Sequence, residues 1–180
     1  SGLGLNFVGF VTKLGGQSQW IGPVLVGIAS IILGMSVPTT VAYIIVSAVS
    51  VPALKALGFE TLPSHMFAFY FGIVADVTPP VALAAYAGAG ISGADPMKTG
   101  VAAAKLAIAA FIVPYIFVLS PELLMIDATP FTITFACTTA IIGMWGVSIA
   151  MIGFCQSKLN VLQRLLFFIG GLNMIIPGAV

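Results

Sequence analysis

The sequence predicts an all-α membrane protein, and three observations carry that prediction. Composition is the first: 60% of the 180 residues are hydrophobic and 6% are charged, with a mean hydropathy of +1.19, against about 25% charged residues in soluble domains. Length is the second. At about 20 residues per crossing, a chain of 180 residues holds five or six membrane segments and leaves no room for a separate soluble domain. The third is a polar interruption, Asp76-Val77-Thr78-Pro79-Pro80, at the centre of an otherwise apolar stretch.

Charge excludes several classes of partner. Six basic and five acidic residues nearly balance and the basic ones never cluster, so nucleic acid is not expected and the lipid bilayer is the principal partner. One histidine, His65, and two cysteines, Cys137 and Cys155, form no Cys/His cluster, so neither a transition metal nor an organic cofactor is expected. The cysteines stand 18 residues apart near opposite ends of one apolar run and read as buried apolar residues rather than a disulfide. Ser1 to Leu5 has no initiator Met, charged n-region or cleavage site, and Leu165 to Val180 is an apolar run that stops inside its own crossing. Both ends read as the interior of a longer chain, not as a signal peptide.

The plainest span is Phe131 to Phe154, 24 residues without a charge, about 36 Å long against a hydrocarbon thickness of about 30 Å. A second covers 100–120, with a kink expected at Pro114 and an end at Ser120-Pro121. A third, 165–180, is truncated. Lys98, Lys158 and Arg164 lie in loops flanking a middle loop that holds Glu122 and Asp127 and no basic residue. The positive-inside rule therefore places the outer two loops in the cytoplasm.

The first half of the chain behaves differently. Trp20 to Leu33 and Val41 to Leu54 are 14-residue apolar runs separated by Gly34-Met35-Ser36-Val37-Pro38-Thr39-Thr40. Runs of that length suit a re-entrant helical hairpin, here about 20–54, with its tip near the bilayer midplane. The stretch 64–91 is the expected discontinuous helix. Two prolines remove two backbone donors and push Thr78 out of the helical region, and backbone left unpaired at membrane depth is tolerated only inside protein or beside a water-filled cavity.

Within this frame Asp76 is the one acidic residue deep in an apolar segment, which points to ion or proton coupling, or else to a carboxylate capping the restarted half-helix. Thr78, Pro79 and Pro80 form either a cation site or a proline kink. Gly34, Ser36, Thr39 and Thr40 offer hydroxyls and freed carbonyls at the hairpin tip, or a plain loop. His65 reads as an interfacial residue. Ala85 with Ala89 and Ala103 with Ala107 read as packing pairs, and Trp145, mid-span, as packing too. A re-entrant hairpin beside a broken helix is the arrangement of one half of an inverted-repeat transporter, whose second repeat then lies upstream or on another chain.

The order Gly34-Met35-Ser36-Val37-Pro38-Thr39-Thr40, Asp76-Val77-Thr78-Pro79-Pro80-Val81-Ala82-Leu83-Ala84-Ala85-Tyr86, then Gly93-Ala94-Asp95-Pro96-Met97-Lys98 resembles the large permease of tripartite ATP-independent periplasmic (TRAP) transporters, in the branch that fuses small and large membrane subunits. The resemblance implies the C-terminal repeat of an elevator-type secondary transporter in a bacterial or archaeal inner membrane. It further implies a periplasmic solute-binding protein that delivers a small solute, often an organic acid, with uptake driven by Na⁺ or H⁺. The remaining N-terminal part of the same permease would be a further partner. On this pattern residues 1–99 are the transport region and 100–180 the C-terminal membrane helices. Gly34, Ser36, Thr39 and Thr40 form the second hairpin tip, and Asp76, Thr78, Pro79 and Pro80 the unwound helix, with Na⁺ near Thr78 and Asp76. Ser36, and Val81-Ala82-Leu83 after the prolines, depart from the family pattern of glycine and asparagine. A channel-like or non-transporting membrane subunit is the competing reading. An enzyme is not expected, since no nucleophile is paired with a base.

Overall fold

The computed structural model describes residues 2–15, 20–35, 37–126 and 128–175. It is helical almost throughout and divides into two compact units, Ser1–Val118 and Leu119–Val180. The first unit contains α1 (Gly2–Gly15), α2 (Ile21–Gly34), α3 (Thr39–Ala56), α4 (Thr61–Val74), α5 (Leu83–Ser92), α6 (Pro96–Leu106) and α7 (Ile108–Leu119, its last residue lying across the boundary).

Helices α2 and α3 form a hairpin. Along α2 the buried residues Gly22, Val26, Ser30 and Gly34 recur every fourth position, while Val24, Ile28 and Ile32 on the opposite face are exposed, as expected of a helix with lipid on one side. The helix ends where Met35 turns extended (φ −62°, ψ 142°), and Pro38, also extended, opens α3. The arms are joined by a buried hydroxyl pair, Ser30 Oγ to Ser50 Oγ at 2.7 Å. Ser30 Oγ also lies 2.7 Å from the Val26 carbonyl, to which it donates.

Hairpin geometry corrects one expectation. The second arm is 18 residues, not 14, because Thr39 and Thr40 begin the helix and Lys55 and Ala56 continue it. At about 27 Å it approaches a full crossing, and α3 is one of three helices here long and apolar enough to span a membrane, with Pro96–Leu119 and Pro130–Ile152.

Helix α4 lies against α3 and α2. Gly72 permits the approach to α3, since a Cβ there would sit 3.3 Å from the Tyr43 amide. Phe67 and Phe71, fully buried, meet the Tyr115 ring of α7 edge-on at 5.4 and 5.6 Å, a favoured aromatic geometry. The same tyrosine abuts Gly27 of α2, where any side chain would collide with its hydroxyl. The first half of the discontinuous helix is thus wedged between the hairpin and α7.

The stretch expected as one span, 100–120, is two helices. Pro114 lies inside α7, and the interruption falls at Ala107 between α6 and α7, where the chain makes one tighter turn closed by Ala110 N–H to Ala107 O at 2.8 Å. At the start of α6 the Asp95 side chain accepts from Lys98 N–H at 2.8 Å and Pro96 occupies the first turn.

The second unit is an antiparallel helical pair. Helix α8 (Pro130–Ile152) begins with a capping box between Thr129 and Thr132 and ends on Gly153 in the left-handed region (φ 75°). A two-residue ladder, β1 (Phe154–Cys155) with β2 (Ser157–Lys158), turns the chain into α9 (Val161–Ile175). The backbones touch at glycine. A Cβ on Gly171 would lie 2.6 Å from the Gly143 carbonyl, and one on Gly143 2.6 Å from the Gly171 carbonyl, the small-residue contact that lets membrane helices approach. Arg164 at the start of α9 donates to the α8 end, Nε to Ala150 O at 2.8 Å and Nη2 to Met151 O at 3.0 Å, so a cation satisfies carbonyls left open at a helix C-terminus.

Trp145 and the two cysteines differ from expectation. Trp145 is 67% exposed rather than packed, because the small residues Gly143 and Gly146, not the tryptophan, face α9. Both cysteines are free but only half-buried. His65 is half-buried and shares a 3.0 Å hydrogen bond with the Tyr43 hydroxyl, linking α4 to α3.

Candidate functional site

The discontinuous helix breaks as its prolines dictate. Helix α4 ends at Val74 and tightens into a 3₁₀ turn over Ala75–Val77, and Thr78 is extended (φ −97°, ψ 121°), as a residue before proline must be. Two proline positions without donors follow, joined by a cis peptide bond. The chain turns at Ala82 with φ 23° and ψ 51° before α5 starts. Carbonyls released by the break are partly recaptured. The Thr78 hydroxyl donates to Val74 O at 2.6 Å, Ala82 N–H to Thr78 O at 3.1 Å, and the Tyr86 hydroxyl to Pro80 O at 2.5 Å.

Into this break the hairpin tip inserts. The Thr39 hydroxyl, in the first turn of α3, donates to Asp76 Oδ2 at 2.9 Å. Beside it Gly34, at the end of α2, is buried so closely that a Cβ would lie 3.0 Å from the Ala75 Cβ. The second carboxylate oxygen, Asp76 Oδ1, is buried with no hydrogen-bond partner among the described residues. Native structures seldom leave such an atom orphaned, and a bound ion is one of the accepted explanations.

Of the eight residues the sequence singled out, the structure brings Gly34, Thr39 and Asp76 together, with Thr78 two residues on. Thr40 and Pro80 are exposed and Pro79 is half-buried. Ser36 lies outside the described residues. The capping reading of Asp76 finds no hydrogen bond to an α5 amide; its recorded partner is Thr39, 37 residues away.

Sequence reasoning missed the outer support of the break. Gly100 of α6 carries no side chain because a Cβ would meet Tyr86, Ala82 and Pro79 at 3.2–3.3 Å. Tyr86 stands between the Pro80 carbonyl and Met97 Sδ, 3.9 Å away. A glycine at the start of an apolar helix and a tyrosine six residues after a proline were the available signals, and neither is specific.

The oxygen set at the break consists of a carboxylate and hydroxyls, the donors a hard cation prefers. A half-used carboxylate fits such an ion, and no group of three or more His, Cys, Asp or Glu occurs among the described residues. A helix broken at a carboxylate with one buried oxygen, in a chain whose described residues include three helices long and apolar enough to cross a bilayer, defines a multi-pass membrane protein with a polar interior at the break.

The family itself is shown by comparison. A family model described as tripartite ATP-independent periplasmic transporter, DctM component, matches residues 1–132. The chain belongs to that family, the large permease component of a secondary transporter, which is a transport and not an enzyme family. No curated protein and no solved structure matches the chain.

Proposed function

We propose that this chain supplies the C-terminal repeat of the permease and that the Thr39–Asp76 junction is its cation-coupling centre. The carrying observation is the 2.9 Å bond between the hairpin tip and the broken helix, beside an unpartnered buried carboxylate oxygen. A cation at Asp76 Oδ1 would neutralise the carboxylate and hold the hairpin tip against the break, so its arrival and departure would bias how the two elements sit. Na⁺ is the favoured ion, with H⁺ as the variant that the same carboxylate permits.

The hairpin is read as re-entrant because its first arm, at 14 residues or about 21 Å, falls short of the about 30 Å hydrocarbon layer. In the complete permease this repeat would pair with an N-terminal one, in the fused branch of the family, and move by an elevator mechanism. The solute would be a small organic acid, delivered by a periplasmic binding protein to a permease in the inner membrane of a bacterium or archaeon. No arginine or lysine adjoins the tip or the break in sequence, so a substrate carboxylate would be met by helix N-termini or by the other repeat.

The test is ion-driven uptake by the complete permease in proteoliposomes, with the binding protein present. Asp76→Asn and Thr78→Ala should each abolish or strongly weaken the dependence on an imposed Na⁺ gradient. Unchanged gradient-driven uptake in both variants would refute the assignment, and saturation-free conductance in the parent would favour a channel.

A further inference from the structure

The pair α8 and α9 carries an exposed apolar groove of about 470 Å³, wholly beyond the stretch that matches the family model. It runs from Ile142 on α8 and Met174 on α9 to Ile149 and Phe167, is floored by Gly146 and Gly171, and has no polar side chain in its lining. The glycine floor makes the groove. Because Gly143 and Gly171 bring the backbones into contact, Trp145 and Leu166 stand up on either side, 67% and 64% exposed.

One end of this groove is basic. Residues 128–180 contain two charged side chains, Lys158 and Arg164, and no acidic one, and both are exposed at the same end of the helical pair. Arg164 lies one turn before Phe167, and its guanidinium reaches Ala150 O, next to the groove residue Ile149. Two of its five N–H groups are used on α8 carbonyls, which leaves others free to meet an anion.

Charge selects the occupant. The described part of the groove runs from the basic end at Arg164 to Met174, ten residues or about 15 Å along α9, over apolar side chains and glycine. An anionic lipid matches both features, its acyl chain the apolar lining and its phosphate the two cations for which residues 128–180 hold no acidic counterpart. We propose that the groove seats one acyl chain of an anionic phospholipid whose phosphate is held by Lys158 and Arg164.

Trp145, in the groove wall, is the natural reporter. The complete permease, with Trp20 and any tryptophan outside this chain replaced by Phe so that Trp145 is the one reporter, would be placed in phosphatidylcholine nanodiscs and titrated with brominated phosphatidylglycerol or brominated phosphatidylcholine. Brominated phosphatidylglycerol should quench Trp145 at an about 30-fold lower mole fraction, the preference two basic residues at a membrane surface supply. Lys158→Gln should reduce that ratio. Gly170→Leu fills open space, since a Cβ at Gly170 meets nothing within 4 Å, and should abolish it with the helical circular dichroism unchanged. Equal quenching by the two lipids would overturn the proposal, as would quenching by neither, which would mean that protein covers the groove. A preference untouched by Lys158→Gln and Gly170→Leu would overturn it equally.

Discussion

The Thr39 hydroxyl donates to Asp76 Oδ2 across 37 residues of sequence, joining the tip of a helical hairpin to the centre of a broken helix. Each element alone has an ordinary explanation, a turn between two helices or a proline kink. Their meeting at one carboxylate does not, because a buried carboxylate oxygen without a partner is costly unless something else completes it.

Thr39→Val keeps the shape of the side chain and removes its donor. A hydrogen bond to a charged group contributes about 1.5–3 kcal/mol, so the apparent cation affinity of uptake should fall roughly 10- to 100-fold while Thr39→Ser retains most of it. Measured cation dependence in Thr39→Val that matches the parent would remove the hydroxyl from the site.

At Gly34 the obstacle is steric. A Cβ would sit 3.0 Å from Ala75 Cβ, so Gly34→Val should force the tip away from the break at a cost of about 1–3 kcal/mol. Ala75→Gly in the same chain should recover part of the lost uptake and thermal stability. Absence of any rescue would show that the clash lies elsewhere.

The Ser30–Ser50 pair is asymmetric, and the two alanine variants should show it. Ser50→Ala leaves Ser30 still donating to Val26 O, whereas Ser30→Ala strands a buried Ser50 hydroxyl. Interhelical bonds in membranes average about 0.6 kcal/mol with a maximum near 1.7. Ser30→Ala should therefore be the more destabilising in thermal unfolding in detergent, and the double variant should cost less than the sum of the two.

Adjacent glycines on α9 should respond with opposite signs. Gly170→Ala meets nothing within 4 Å and gains helix propensity, up to about 1 kcal/mol. Gly171→Ala drives a methyl to 2.6 Å from the Gly143 carbonyl, backbone that cannot swing aside, and should lower the unfolding temperature.

Ala82 sits at φ 23°, ψ 51°, a conformation that costs an L-residue roughly 1–2 kcal/mol. Ala82→Gly should preserve uptake and leave stability equal or higher, because relief of strain offsets glycine's greater backbone freedom. Ala82→Val, β-branched and fully buried against the Gly100 side of the break, should lose both. Equal behaviour of the two variants would show that the positive φ matters little.

Much of the helix pattern was legible in advance because its causes are local. Apolar runs end where Gly34, Pro38, Pro79 and Gly153 end them, and those residues act on their own backbone. Boundaries suffered where apolar character continues past a polar residue: α3 begins at Thr39 and α9 at Val161, whereas hydropathy alone delayed each start. The division between α6 and α7 was not legible either, since Ala107 carries no helix-breaking signal of its own. Trp145 was misjudged because a mid-span position does not reveal which face a residue occupies.

By itself the sequence determined that this chain lives in a bilayer, that its third apolar stretch breaks at Thr78-Pro79-Pro80, and that Asp76 stands at that break. Hydrophobicity and proline geometry act within a few residues and need no partner to be read. That Thr39, and not Thr40, reaches Asp76, that Gly34 and Gly100 are small because the break needs the space, and that one carboxylate oxygen is left over were decided by tertiary structure alone. Each depends on distances between residues far apart in the chain, which helix packing sets and composition does not.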